Sequence, residues 1–266
     1  MSTDDQYLRT WVEKQLDECR TIALRYFRSS GLRIERKADR SPVTVADRRI
    51  EERLRHAIEQ AFPGEAIVGE EFGFSGSLTE TYWTIDPIDG TRAFSRGLPS
   101  WGILIGRVEK GQATLGLCDF PAIDTRLAAV LGNGNRAYER VGRITHRLAL
   151  PPAVKKLDDA VIFHGGSHWW RDTPFTEGFT RVVQGCYLER AYGDCYGYLW
   201  ALRGAADAVI EYGVKPWDMV PFAVLAEATG RVLTDFSGKP CWTGPQAVFA
   251  SPAVARAIGK ILRGGQ

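Results

Sequence analysis

No run of apolar residues in the 266-residue chain approaches the length that a bilayer span requires. The polar, acidic opening Ser2-Thr3-Asp4-Asp5 also lacks the basic-then-apolar order of a secretory leader. An excess of one charge is missing too: 34 Lys and Arg stand against 32 Asp and Glu, interspersed, for a net charge of +2. Nothing in that composition suggests the basic stripe of a nucleic-acid binder or the patch that docks on a membrane surface, and a small molecule is the better-fitting partner. Cysteine is scarce and unpatterned. Cys19, Cys118, Cys186, Cys195 and Cys241 are odd in number, far apart and never in C-x-x-C spacing, so neither a disulfide framework nor a zinc site is expected. Internal repeats and low-complexity tracts are absent. The expectation is a cytoplasmic globular protein with reduced thiols.

What remains is a chain long enough to bury a substantial core, read as two packed halves: an N-terminal α+β half, 1–150, and a C-terminal α/β half, 151–266. Leu8, Trp11, Leu16, Cys19, Ala23 and Phe27 recur at helical spacing and predict an amphipathic helix over 5–27. Ile50, Leu54, Ala57, Ile58 and Ala61 predict a second, capped by Thr44 and ended by Phe62-Pro63-Gly64. Short apolar runs at 66–68 and 82–85 end in acidic residues, as strands do when they deliver ligands from their carboxyl ends. Segments 102–108, 113–118 and 126–130, with turns at Glu109-Lys110-Gly111 and Gly132-Asn133-Gly134-Asn135, read as an antiparallel sheet. Beyond Pro151-Pro152, strands at 160–163, 208–211 and 247–250 alternate with helices near 174–183, 196–203 and 216–229.

The strongest local signal is Trp83-Thr84-Ile85-Asp86-Pro87-Ile88-Asp89-Gly90-Thr91, two carboxylates three residues apart just past a strand. Pro87 stiffens the turn and Gly90 permits close backbone approach. Hard divalent cations take oxygen ligands, so this pair suits bound ions, with amides at Gly90 and Thr91 facing a phosphate. An ordinary acidic turn has the same composition. Gly69-Glu70-Glu71 closes the preceding strand, where paired carboxylates are costly unless solvated or neutralised by cations, and solvation suffices for Glu71. Asp47 reads equally well as the partner of the Thr44 cap. Asp218, in Lys215-Pro216-Trp217-Asp218, opens an apolar helix and taken alone reads as a cap.

Together and in this order, these four segments resemble the inositol monophosphatase family across essentially the whole chain: D-P-I-D-G-T after an apolar strand, G-E-E upstream, W-D at the C-terminal helix. The resemblance implies an α+β fold, a layered αβαβα sandwich of the inositol monophosphatase and fructose-1,6-bisphosphatase type, and a homodimer. It implies a Mg2+-dependent phosphomonoesterase in which Glu70, Asp86, the Ile88 carbonyl, Asp89 and Asp218 hold two or three ions per site, Mg2+ or Mn2+, with Asp86 shared between two. Catalysis then falls to Glu70 and Thr91, supported by Asp47, which orient a metal-activated water for in-line attack on phosphorus, while a second ion stabilises the leaving alkoxide. Gly90 and Thr91 contact the phosphate, and Lys37 corresponds approximately to a family lysine near the metals.

Where members acting on inositol phosphate carry R-x-x-G-S/T-A-A, this chain reads Arg190-Ala191-Tyr192-Gly193-Asp194-Cys195-Tyr196-Gly197-Tyr198. Asp194 in place of a hydroxyl puts negative charge where the leaving group lies, which favours an ammonium-bearing substrate over a polyol or a second anion. G-D-x-x-G-Y and the D-P-I-D-G-T-R-A-F-S-x-G-L-P-x-W-G run over 86–102 look like the histidinol-phosphatase branch. The expected reaction is therefore hydrolysis of L-histidinol phosphate to L-histidinol and phosphate, a step of histidine biosynthesis, with substrate contacts from Arg190, Asp194 and Glu211. Trp101, Tyr196 and Tyr198 read as core or as imidazole walls, and His164 and His168 as loop or structural residues. Pro221 is expected in the first turn of its helix, where a missing N–H costs little. The alternatives are a phosphatase of inositol 1-phosphate, fructose bisphosphate or a 3′-phosphonucleotide, and a regulatory binding protein on the same fold.

Overall fold

The computed structural model describes residues 3–30, 32–36, 42–76, 80–132 and 135–264. Both opening helices form, as α1 (Thr3–Tyr26) and, after the antiparallel pair β1 (Ile34–Arg36) and β2 (Pro42–Thr44), α2 (Val45–Ala61). The start of α2 is fixed by a capping box: the Thr44 hydroxyl accepts from the Ala46 N–H at 3.1 Å, and Asp47 accepts from the Thr44 N–H at 2.9 Å.

An eight-stranded sheet follows, built from β3 (Ala66–Gly69), β4 (Gly73–Ser75), β5 (Tyr82–Asp89), the short helix α3 (Thr91–Ser95), then β6 (Gly102–Glu109), β7 (Gln112–Phe120), β8 (Thr125–Val130), β9 (Arg136–Val141) and β10 (Ile144–Arg147). Its order is β10-β9-β8-β7-β6-β5-β3-β4, with β3 parallel to β5 and the other pairs antiparallel. The three strands read from sequence are its centre. The β9–β10 hairpin extends it, and Asn133 and Gly134 of the turn expected before β9 lie outside the described residues.

Alternation along each strand sorts the side chains by face. Trp83, Ile85, Ile103, Ile105, Leu115 and Leu117 meet Val12, Leu16, Ile50 and Leu54 from α1 and α2. Leu104, Cys118 and Leu127 face the other way, onto helices of the second half.

That half runs β11 (Val161–His164), α4 (Thr176–Gly185), β12 (Leu188–Arg190), α5 (Asp194–Leu202), β13 (Ala208–Tyr212), α6 (Pro216–Ala228), β14 (Val232–Thr234), β15 (Gln246–Ala250) and α7 (Pro252–Leu262). Its five strands order as β12-β11-β13-β15-β14. Tyr198, Leu199, Val220, Phe222 and Leu225 of α5 and α6 fill the space between the two sheets, in one core that reaches from Leu104 to Phe249. Phe179, Val182, Val254 and Ile258 of α4 and α7 cover the outer face. The layers are therefore helix, sheet, helix, sheet, helix, the αβαβα sandwich expected.

Two glycines set how close α6 lies to the first sheet. Gly106 and Gly116 are register partners on β6 and β7, and a Cβ on them would come 2.5 Å from Val220 Cγ1 and 2.4 Å from the Pro221 carbonyl oxygen. Pro221 itself corrects the sequence reading: it is the sixth residue of α6, in the second turn, where it removes the N–H that would bond the Trp217 carbonyl. The helix start is held instead by Asp218, whose Oδ2 accepts from the Lys215 N–H at 2.7 Å. Among the described residues no helix is long and apolar enough to cross a membrane.

Candidate active site

The end of β5, the turn after β3 and the starts of α5 and α6 converge on a cavity of about 320 Å³, whose lining includes Glu70, Asp86, Ile88, Asp89, Gly90, Thr91, Asp194, Glu211 and Asp218. In an unbroken strand, residues three apart face opposite ways. Here the β5–β6 pairing shifts register between Asp86 and Asp89, around Pro87, which has no N–H to give the ladder. The irregularity lets both carboxylates meet Asp218, and one ligand oxygen from each of the three lies within 4.8 Å of the others.

Gly90 follows with φ of 84°, and a Cβ there would sit 2.8 Å from the Ser100 carbonyl oxygen, so only glycine fits the turn. It hands the chain to Thr91, whose hydroxyl donates to the Ile88 carbonyl at 2.9 Å and lies 3.4 Å from Asp47 Oδ1. Asp47 caps α2 with one oxygen and meets Thr91 with the other. Glu70 leaves β3 beside β5, its N–H donating to the Ile85 carbonyl at 3.1 Å.

So many carboxylates in one small space resist ionising. Burial, then the charges of Glu70, Asp89 and Asp218, hold Asp86 well above the usual carboxylate range. Burial and the charges of Asp194 and Asp218 do the same to Asp89, although the Cys195 N–H donates to it. Asp218 is pushed up to about 7 by burial first, with the Lys215 N–H pulling it back. Glu211 is pushed up to about 8 by burial and then by Asp194, although the Asp194 N–H donates to it at 2.9 Å. Burial raises Asp47 to about 6 against its bonds to Thr44. Buried carboxylates crowded together are expensive unless a cation neutralises them, and an all-oxygen donor set fits a hard divalent ion. The residues present fit such a metal.

Asp194 stands at the mouth of the cavity with a left-handed φ of 54°. Its side chain is open to solvent on one side, but the wall behind it desolvates the carboxylate and raises its pKa, against the pull of Arg92 and His168. Glu211 lies deeper, 6% exposed. Arg190, by contrast, is not brought to the cavity. It ends the edge strand β12, exposed, with its guanidinium donating to the Glu189 carbonyl at 2.6 Å. Lys37 lies outside the described residues.

Of the aromatics, Trp101 is fully buried against Phe27 and Phe94, Tyr196 packs on Tyr192 and Trp200, and Tyr198 borders the cavity only from inside the core. His164 is structural, its ring nitrogens bound to the Gly165 carbonyl at 2.6 Å and Glu189 at 2.8 Å. The exposed aromatic wall is Trp169, which sequence reading passed over, with the Arg92 guanidinium 5.0 Å from its ring centre and His168 packed at 4.6 Å. A tryptophan in a glycine-containing loop just past a strand was the signal available for it.

Compared with known proteins, residues 4–263 match the model of the inositol monophosphatase family. The histidinol-phosphatase of Mycobacterium tuberculosis is 34% identical over 239 residues, covering 90% of either chain. Nus factor SuhB of Pseudomonas aeruginosa is 30% identical over 232 residues, 82% of this chain and 85% of its own. The crystal structure of extragenic suppressor protein suhB from Bartonella henselae shares the fold, with a TM-score of 0.85 at 20% identity over 98% of this chain and 100% of that one. With the match running nearly end to end and the carboxylate cavity assembled from the motif residues, the chain belongs to the inositol monophosphatase family and is a phosphoric monoester hydrolase.

Proposed function

We propose that this phosphatase is Mg2+-dependent and that its substrate is a small phosphate monoester with a cationic end, L-histidinol phosphate. The observation that carries the substrate choice is the pair Asp194 and Glu211, which adds two carboxylates to the cavity beyond those grouped for metal. A polyol can hydrogen-bond to them but brings no opposite charge and a second phosphate is repelled, whereas an ammonium and an imidazole bring charge complementary to them. The 34% identity to a histidinol-phosphatase supports the same choice.

In this reading Glu70, Asp86, Asp89, Asp218 and the Ile88 carbonyl hold two or three Mg2+ ions, which Mn2+ can replace. When bound, the metal supplies Lewis acidity toward the phosphoryl and leaving oxygens and makes water more acidic. Glu70 and the Thr91 hydroxyl orient the attacking water opposite the leaving oxygen. Thr91 is suited to this because the Ile88 carbonyl and Asp47 fix its hydroxyl. The Gly90 and Thr91 amides face the phosphate, and Asp194 and Glu211 orient the amine-bearing leaving group. The two halves meeting near residue 150, the homodimer and a cytoplasmic location, which suits the five free thiols, belong to the same reading.

Asp89→Asn should abolish turnover of every ester, whereas Asp194→Ser should impair histidinol phosphate and spare inositol 1-phosphate. Equal losses on all esters from Asp194→Ser would sink the substrate assignment. The relationship to a Nus factor favours a second reading, a regulatory binding protein on the same fold. Its signature would be a macromolecular partner that co-purifies undiminished when Asp86 is replaced by Asn.

A further inference from the structure

Helix α2 carries Asp47, Glu51 and Arg55 at four-residue intervals, a single stripe along its surface. Asp47 reaches Thr91. Glu51, one turn on, is 0% exposed and has no part in the reaction as derived above. Its Oε2 accepts from the Glu71 N–H at 2.7 Å, and its Oε1 accepts from the Phe72 N–H at 3.2 Å and from Arg55 Nε at 2.8 Å. Arg55 continues to the Ser75 hydroxyl at 2.7 Å and to the Gly73 carbonyl. Apart from the bond between them, the pair therefore acts on 71–75, the turn and strand that begin immediately after Glu70. Gly69 keeps the space open from the other side, since a Cβ there would sit 1.9 Å from Glu51 Oε1.

A buried ion pair contributes little net stability compared with apolar side chains of the same volume. The turn it holds is largely surface, with Phe72, Gly73 and Phe74 exposed. What the pair does supply is fixed geometry: two main-chain N–H groups locked onto one carboxylate, itself locked by a forked guanidinium. A metal-site carboxylate works only when held to a fraction of an ångström.

We propose that Glu51, clamped by Arg55, is a positioning residue for Glu70, fixing the turn after β3 so that the Glu70 carboxylate faces Asp86 in the cavity. This rests on the role given to Glu70 above. Glu51→Gln keeps the size but replaces one acceptor by an NH2 group, which meets the N–H donors around it and pushes the turn away.

The test compares Glu51→Gln with Glu70→Gln by calorimetric Mg2+ binding without substrate, by kcat and KM on p-nitrophenyl phosphate, and by Tm. The probe ester makes the result independent of the choice of natural substrate. Both variants should weaken Mg2+ binding about tenfold or more and lower kcat comparably, with KM within about twofold. A Glu51→Gln protein that loses Tm but keeps wild-type Mg2+ affinity and kcat, while Glu70→Gln loses both, overturns the inference alone. Wild-type behaviour of Glu70→Gln overturns the reading of Glu70 and the inference with it. Should Glu51→Gln not fold, Arg55→Lys decides: an ammonium cannot span Ser75 and Gly73 as the guanidinium does, so the same loss of Mg2+ affinity is expected, and unchanged affinity refutes the proposal.

Discussion

Removing the metal should make this protein's stability fall as pH rises, the opposite of the usual carboxylate pattern. A carboxylate whose folded pKa lies above its unfolded value holds its proton in the native state while the unfolded chain has released it. Stability is then complete below the unfolded pKa and lost as pH climbs through the folded one. The window follows from the site: Glu211 moves from 4.5 to about 8, Asp218 from 3.8 to about 7 and Asp47 from 3.8 to about 6. At 1.36 kcal/mol per pH unit, Glu211 alone corresponds to roughly 5 kcal/mol. The acids share one cavity and titrate as a set, and water enters its mouth, so we expect a total of about 3 kcal/mol between pH 5 and 8.5. For a chain of this size that is a Tm decrease of roughly 6 to 12 °C. The assay is thermal unfolding in EDTA from pH 5 to 8.5, repeated with excess Mg2+, which should raise Tm most at the alkaline end because it replaces the protons. Asp218→Asn should flatten the EDTA curve. A Tm that is level or rising with pH in EDTA, or a Mg2+ effect equally large at pH 5, would refute the electrostatic account of the cavity.

Other consequences are local. Gly116→Ala should cost about 1 to 3 kcal/mol in urea unfolding, and more than Gly106→Ala, because its Cβ meets the Pro221 backbone of α6 whereas that of Gly106 meets movable side-chain atoms of Val220 and Thr84. Equal costs would show that α6 shifts freely. Asp119, 0% exposed, accepts from Arg20 Nε at 3.0 Å and Arg126 Nε at 2.8 Å, so Asp119→Ala should destabilise by about 2 to 3 kcal/mol, leaving Arg20 with Asp124 and Arg126 with Asp17 and the Glu13 carbonyl. A loss under 1 kcal/mol would mean that Asp124, Asp17 and the Glu13 carbonyl hold the two arginines without it.

Much of this was legible because the signals are local. Helical periodicity marked α1 and α2, strand-like segments set off by turn residues marked β6 to β8, and Asp86, Asp89, Asp218 and Glu70 follow strands or open a helix, so chain direction points them to one end of the sheets. The hidden parts depend on contacts between distant segments. Glu51 reads as an ordinary polar residue of an amphipathic helix, and nothing nearby announces that it meets an amide twenty residues on. Trp169 sits beside Arg92 only because segments far apart in sequence fold together. Arg190 was read from its motif neighbours Asp194 and Cys195, which start α5 at the cavity, while Arg190 itself stays on the sheet edge. Pro221 was put in the first turn although the helix start near 216 was read correctly; as the sixth residue it stands in the second.

The central claim is tested most directly by phosphate release from the purified protein with Mg2+, comparing L-histidinol phosphate, inositol 1-phosphate, fructose 1,6-bisphosphate and adenosine 3′,5′-bisphosphate. Asp194 and Glu211, whose ionised forms an ammonium group would stabilise, predict that kcat/KM for histidinol phosphate exceeds each of the others by about tenfold or more, a difference of at least ~1.4 kcal/mol in transition-state binding. Preference for another ester would contradict the substrate assignment, and release that does not depend on Mg2+ would contradict the metal reading of the cavity.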